Sequence, residues 1–233
     1  MNVRSSVNAV EYENGLRSYL LSIYNWMILG LLVSAGAAFF AQASGLTDTL
    51  KQGGLLFWVI ALAPFGVIFF MARAMSGASS VASMSIAFLF LAACEGLTLS
   101  LFLARYTGTS VVVAFLITAS AFAALSLYGY TTKRNLTGMG SFFLIALVGL
   151  LVAMVVGIVL GSSLFSTLVS IAAVVIFGGL VAYDTQMMRY NYRAGDEDSN
   201  ARFAIWHALD LYLDFVNIMI HVLRLTGSST SDD

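Results

Sequence analysis

Hydropathy divides the chain into seven apolar stretches, each long enough to cross the hydrocarbon core of a bilayer, and this restricts the fold more than any motif does. Spanning takes about twenty predominantly apolar residues. Breaking the 233-residue sequence at its polar and Gly/Ser clusters leaves segments over roughly 18–43, 54–73, 81–104, 110–130, 139–160, 164–188 and 201–225. In lipid each must be a helix, because backbone N–H and C=O groups cannot face hydrocarbon unpaired. The expected fold is all-α, a polytopic membrane protein with seven transmembrane helices forming one transmembrane domain over 1–233. The 10% charged residues fit that class, since a soluble domain carries roughly 25%.

Arg4 and Arg17 precede the first run, and Ala41-Gln42-Ala43 resembles a signal cleavage site. A signal h-region is only about 7 to 15 residues long, whereas this run has about twenty-five, so it is read as a retained span. The basic residues set the orientation. With the N-terminus in the cytoplasm, Arg4, Arg17, Arg73, Lys133, Arg134, Arg189, Arg193 and Arg202 lie inside, against Lys51, Arg105 and Arg224 outside. That asymmetry favours a cytoplasmic N-terminus, and seven crossings then place the C-terminus on the opposite side. A bacterial inner membrane is the expected location. The formal charge of -1 leaves no basic surface for nucleic acid, and the single Cys94 reads as a small core residue.

Small residues mark helix contact surfaces. Gly157 and Gly161 form a GxxxG pair, and Gly30, Ser34 and Ala38 recur every four positions, a spacing that permits close backbone approach. Gly178 and Gly179 offer the same possibility in the sixth span. Pro64, the only proline, falls inside the second span, where it removes one helix hydrogen bond.

Five charged side chains lie at or near membrane depth: Arg73, Glu95, Asp184, Asp210 and Asp214. A charge at a helix centre costs about 2.5 to 3.5 kcal/mol on insertion scales, so such residues face the protein interior and have partners. In the last span His207, Asp210, Asp214, Asn217, His221 and Arg224 are spaced three or four apart and fall on one helical stripe. The opposite face, with Leu211, Phe215, Ile218 and Val222, is apolar. An amphipathic helix lying on the membrane surface would carry Lys and Arg along the polar face, and this stripe is mostly acids and histidines. A hydrogen-bonded structural seam between helices remains a competing reading.

The sixth and seventh spans are joined by a charged turn of about twelve residues, which makes them antiparallel neighbours and sets Asp184 at a depth comparable to Asp210 and Asp214. Carboxylates held close in a low dielectric share a proton and titrate as a unit. Two or three of them, Asp184, Asp214 and Asp210, would bind Ca²⁺ weakly, which suits a permeant ion better than a stored one.

YDTQ at 183–186, HALDLYLDFVNIMIHVLRLTG at 207–227 and EGLTLS at 95–100 together resemble the transmembrane Bax inhibitor motif family. The resemblance implies a seven-helix fold with the C-terminal helix central among the other six, and a pH-sensitive calcium leak. It also implies a sensor made of Asp184 and Asp214, with Arg73 as a latch on the sixth-helix aspartate. The gate expected from it holds the last two helices together at low pH through a shared proton. At higher pH charge repulsion, relieved by Arg73, loosens them. His207, Asp210, Asn217, His221 and Glu95 support the polar seam, Glu95 either as a second ion ligand or as a buried acid paired elsewhere. The expected partners are the bilayer, protons, calcium ions and other membrane proteins, with no required cofactor.

Other classes fit less well. An intramembrane aspartyl protease would need GxGD on the next helix, and the nearest match, RAGD at 193–196, sits in the turn. A rhomboid-like serine protease needs GxSG, and the chain offers AMSG at 74–77 in a loop. A retinal protein needs a membrane lysine, and Lys51 and Lys133 both fall in loops. The chain is therefore expected not to be an enzyme. A non-conducting membrane regulator or scaffold is the remaining alternative to a channel.

Overall fold

The computed structural model describes residues 3–228, and among these there are eight α-helices and no strand. They are α1 (Val3–Ala43), α2 (Leu46–Lys51), α3 (Leu55–Arg73), α4 (Val81–Leu103), α5 (Gly108–Thr131), α6 (Gly140–Leu160), α7 (Ser163–Asn191) and α8 (Glu197–Thr226). Seven of them, all but α2, are long and apolar enough to cross a membrane. On α6, Leu144, Ile145, Val148, Leu151, Val152, Val155, Ile158 and Val159 are all exposed, a surface that water would not tolerate and lipid does.

Two differences from the sequence reading concern connections. The stretch GLTDTLKQGG, expected as a loop, contains α2: Leu50 is buried with Ile60 and Cys94, and Thr47 Oγ1 donates to Ser100 Oγ at 3.1 Å. Leu46, Thr47 and Leu50 thus face the apolar cluster and α4, which folds this short helix back onto the bundle. The charged turn is only five residues long, because α7 runs on to Asn191 and α8 begins at Glu197. Asp196 caps α8 by accepting the Ser199 N–H at 3.0 Å. Asn200 then clamps both backbone groups of Arg193, at 2.9 and 2.7 Å, and Arg202 ties Asp198 to the carbonyls of Ala74 and Ser79. Those two carbonyls close the single π-helical turn, Ala74–Ala78, that follows α3.

The backbone gathers into two compact units. One comprises the chain up to Leu101 together with Met188–Tyr212, the other Phe102–Met187 together with the chain from Leu213. In the first, α1 and α4 touch backbone to backbone: a Cβ at Gly96 would lie 2.3 Å from the Ser34 carbonyl oxygen. Ser34 Oγ is 2.7 Å from the Ala92 carbonyl and 2.7 Å from the Tyr212 hydroxyl. A hydroxyl has one proton to give. Where Ser34 gives its proton to Ala92, Tyr212 donates to Ser34, so α1, α4 and α8 share one buried chain of hydrogen bonds. Phe88 meets Tyr212 edge-on at 5.7 Å, and a Cβ at Gly30 would lie 2.6 Å from the Phe88 ring. The Gly30, Ser34, Ala38 stripe is thus a packing face, as its spacing predicts.

In the second unit α5 and α7 are the close pair, since a Cβ at Gly129 would lie 2.2 Å from the Ala182 carbonyl oxygen. Gly179 seats the Phe143 ring of α6. Of the GxxxG pair only Gly157 meets another helix, with the Phe165 ring of α7 3.4 Å from its Cβ position. Gly161, at φ 60°, is the left-handed cap that ends α6, and nothing lies near the position of its Cβ.

Candidate functional site

The last helix carries most of the candidate residues, and burial separates it from the other spans. In its most apolar window 61% of residues are buried, against 11 to 39% for the other six spans. The apolar back is buried at Leu211, Phe215, Ile218 and Val222, and on the polar stripe His207, Asp214 and His221 are buried as well. A helix buried to that extent meets protein over most of its length.

The stripe does not act as one continuous seam. Near its start, His207 is 4% exposed, and its Nε2 is 2.9 Å from Asn191 Nδ2 at the end of α7. With the asparagine donating, the neutral ring keeps its proton on Nδ1, which faces Asp210 Oδ2 at 3.6 Å. Asn217 hydrogen-bonds back to its own helix at the Leu213 carbonyl, 2.8 Å. His221 Nδ1 lies 3.2 Å from Ser170 Oγ, and Ser170 already gives its proton to the Ser166 carbonyl, so the histidine is the donor. Arg224 is exposed, with its guanidinium over the Phe102 ring at 5.2 Å.

Asp184 on α7 is half-buried and Asp214 on α8 is 4% exposed. Both belong to the second unit, and their neighbours in sequence meet the same stretch of α5. Thr185 Oγ1 donates to Ser126 Oγ at 3.2 Å, and the Phe215 ring packs against Phe122 at 5.6 Å. Ser126 and Phe122 are one turn apart, about 6 Å along the helix. Gln186 beside them holds the connection between α5 and α6, accepting the Leu136 N–H at 2.7 Å and donating to the Arg134 carbonyl at 2.8 Å. Sequence reasoning quoted Gln186 inside YDTQ without giving it a task. A long amide in an apolar span was the available signal.

Glu95 is half-buried on α4 and makes no hydrogen bond or ion pair with a described residue. Arg73 is exposed at the end of α3 and forms no ion pair with a described residue. Among the described residues no three His, Cys, Asp or Glu side chains gather into a set that could hold a metal ion. The stripe that unites Asp210 and Asp214 on one helix does not by itself bring their oxygens to a common point. Tyr212 and Ser34, which carry the best buried polar contact of the first unit, were not singled out in the stripe, because Tyr212 lies off it.

These features define an integral membrane protein of the polytopic α-helical class, with ionisable side chains on its last two helices. The chain belongs to the family described as inhibitor of apoptosis-promoting Bax1, whose model matches residues 16–231. It is 36% identical over 226 residues to the inner membrane protein YbhL of Escherichia coli, covering 96% of this chain and 97% of that one. A Rickettsia prowazekii protein is 37% identical over 221 residues, covering 93% and 92%. A Deinococcus radiodurans protein is 38% identical over 215 residues, covering 91% of each. The resemblance seen in YDTQ, EGLTLS and the C-terminal stretch therefore extends along nearly the whole chain.

Proposed function

We propose that this protein is a pH-sensitive leak channel for cations, with Ca²⁺ as the permeant ion and Asp184 and Asp214 as its gate. The observation that carries this reading is the burial of Asp214 in the most enclosed of the membrane helices. The Thr185–Ser126 and Phe215–Phe122 contacts support a common depth for the two acids. Two carboxyl groups sharing a low-dielectric site titrate together and keep one proton between them at low pH. Loss of that proton leaves two negative charges, which separate or recruit a cation. Two carboxylates supply at most about four of the six to eight oxygens Ca²⁺ takes, so the ion binds weakly and leaves readily.

Arg73 is the latch that relieves the repulsion once the pair is deprotonated, a contact that belongs to the open state. Asp210 lies 3.6 Å from His207 Nδ1 on the same helix. The name of the Escherichia coli relative supports a bacterial inner membrane, and the basic-residue count supports a cytoplasmic N-terminus.

Purified protein in liposomes loaded with a calcium indicator tests the reading. Wild type should admit more Ca²⁺ at the alkaline end of a pH series than at its acidic end, because proton loss charges the pair. Asp214→Asn and Asp184→Asn should flatten that dependence. A pH profile unchanged in Asp214→Asn removes the pair from the gate, and no flux from wild-type protein favours the non-conducting regulator.

A further inference from the structure

We propose that the pocket between the start of α1 and the α7–α8 turn, in the first unit, binds a primary ammonium group. That chemistry is shared by a free polyamine and by the ethanolamine headgroup of a membrane lipid. The cavity is about 710 Å³, and its walls include Tyr12, Tyr19, Tyr192, Glu11, Glu197 and Asn200. Among the described residues that line it there is no Lys or Arg. The Tyr192 ring is the hub, with Tyr12 edge-on at 5.2 Å and Tyr19 at 5.6 Å. Three phenol rings and two carboxylates around one space form a site for an organic cation, and they repel an anion.

Two details show a built site. A Cβ at Gly15 would lie 2.0 Å from the Tyr192 hydroxyl oxygen, so only glycine lets that ring reach the α1 surface. Tyr19 is 5% exposed, and its hydroxyl is buried with no hydrogen-bond partner among the described residues. A buried hydroxyl left unpaired is costly. An N–H donor entering the pocket would satisfy the Tyr19 oxygen while its charge faces Glu11 and Glu197.

The donor requirement selects the ligand. A quaternary ammonium can use the ring faces but has no N–H to give Tyr19. A hard metal ion would find too few oxygens. The positive end of α8 would oppose a cation, but Asp196 at the cap and Glu197 and Asp198 in the first turn offset it. By the positive-inside count this pocket opens on the cytoplasmic side.

The test uses the full chain in phosphatidylcholine nanodiscs, titrated with spermidine, with tetramethylammonium and with uncharged 1,4-butanediol. Spermidine should bind saturably and the other two at least about tenfold more weakly, the size of one good hydrogen bond to a charged group. Tyr19→Phe keeps the ring and the packing and should weaken spermidine about tenfold. Glu11→Gln, at an exposed position, should weaken it without touching the fold. Repeating the titration in discs containing phosphatidylethanolamine distinguishes the sources. A competitive loss of spermidine affinity makes the lipid headgroup the occupant, and an unchanged affinity makes it the free amine. Absence of saturable spermidine binding in the ethanolamine-free discs overturns the proposal, as does equal binding of tetramethylammonium, or full affinity in Tyr19→Phe.

Discussion

Adding one methyl group at Gly129 should pry α7 from α5 next to the candidate sensor. The new Cβ would start 2.2 Å from the Ala182 carbonyl oxygen and 2.9 Å from the Ala182 Cα. Both are backbone atoms, so no rotamer change relieves the clash. An ordinary carbon to carbonyl contact is about 3.3 Å, so the helices must separate by about 1 Å. That movement takes the Thr185–Ser126 bond, now 3.2 Å, out of hydrogen-bond range. Overpacking of this kind costs about 1 to 3 kcal/mol, the lost interhelical hydrogen bond adds about 0.6, and the helix propensity gained on replacing glycine returns up to about 1.

A net loss of about 2 kcal/mol corresponds to a fall of roughly 4 to 8 °C in melting temperature for a chain of this size. The assay is thermal unfolding in mild detergent, with Gly149→Ala as the control. Nothing lies within 4 Å of a Cβ at Gly149, so that variant should melt with the wild type or slightly above it. If Gly129→Ala melts like wild type, or both variants fall equally, the α5–α7 contact is not what limits packing there.

Gln186→Ala should strip the partners from the Leu136 N–H and the Arg134 carbonyl together. A loss of about 2 kcal/mol is expected, with the Leu136 amide exchanging faster than its neighbours in hydrogen-exchange measurements. At the α7–α8 turn, the Ser199 hydroxyl and N–H hold the Asp196 carboxyl below the usual aspartate range. A carboxyl depressed by folding stabilises the fold above its unfolded value and stops doing so as pH falls through the folded one. The first turn of α8 should therefore stay protected at pH 5 and loosen only in acid below the ordinary aspartate range, about 3.9. A carboxyl carbon titration by NMR that places Asp196 at or above that range contradicts the cap.

The class and span number were legible because desolvation acts on composition alone. A run of some twenty apolar residues must be a membrane helix whatever it later touches, and the seven stretches read from the sequence are the seven spans. The Gly30, Ser34, Ala38 face was legible for a related reason, since small residues every four positions leave room only on one side of a helix. Boundaries were less so. The turn before α8 was read as about twelve residues and has five, because hydrogen bonds from Asn200, Asp196 and Arg202 outweigh its charged composition.

What only the tertiary structure decided is where each member of the polar stripe finds its partner. Helical spacing places His207, Asp210, Asp214, Asn217, His221 and Arg224 on one line, but a line on a helix is not a shared environment. His207 turns to Asn191, Asn217 to its own backbone and His221 to Ser170, while Arg224 leans on Phe102. The folding back of α2 and the placing of Tyr19 in a tyrosine-lined pocket likewise depended on neighbours distant in sequence. Sequence periodicity fixes the direction in which a side chain leaves its own helix. Which atoms of another helix lie there is set by packing, and hydrogen bonds, with a reach of about 3 Å, depend on that placement.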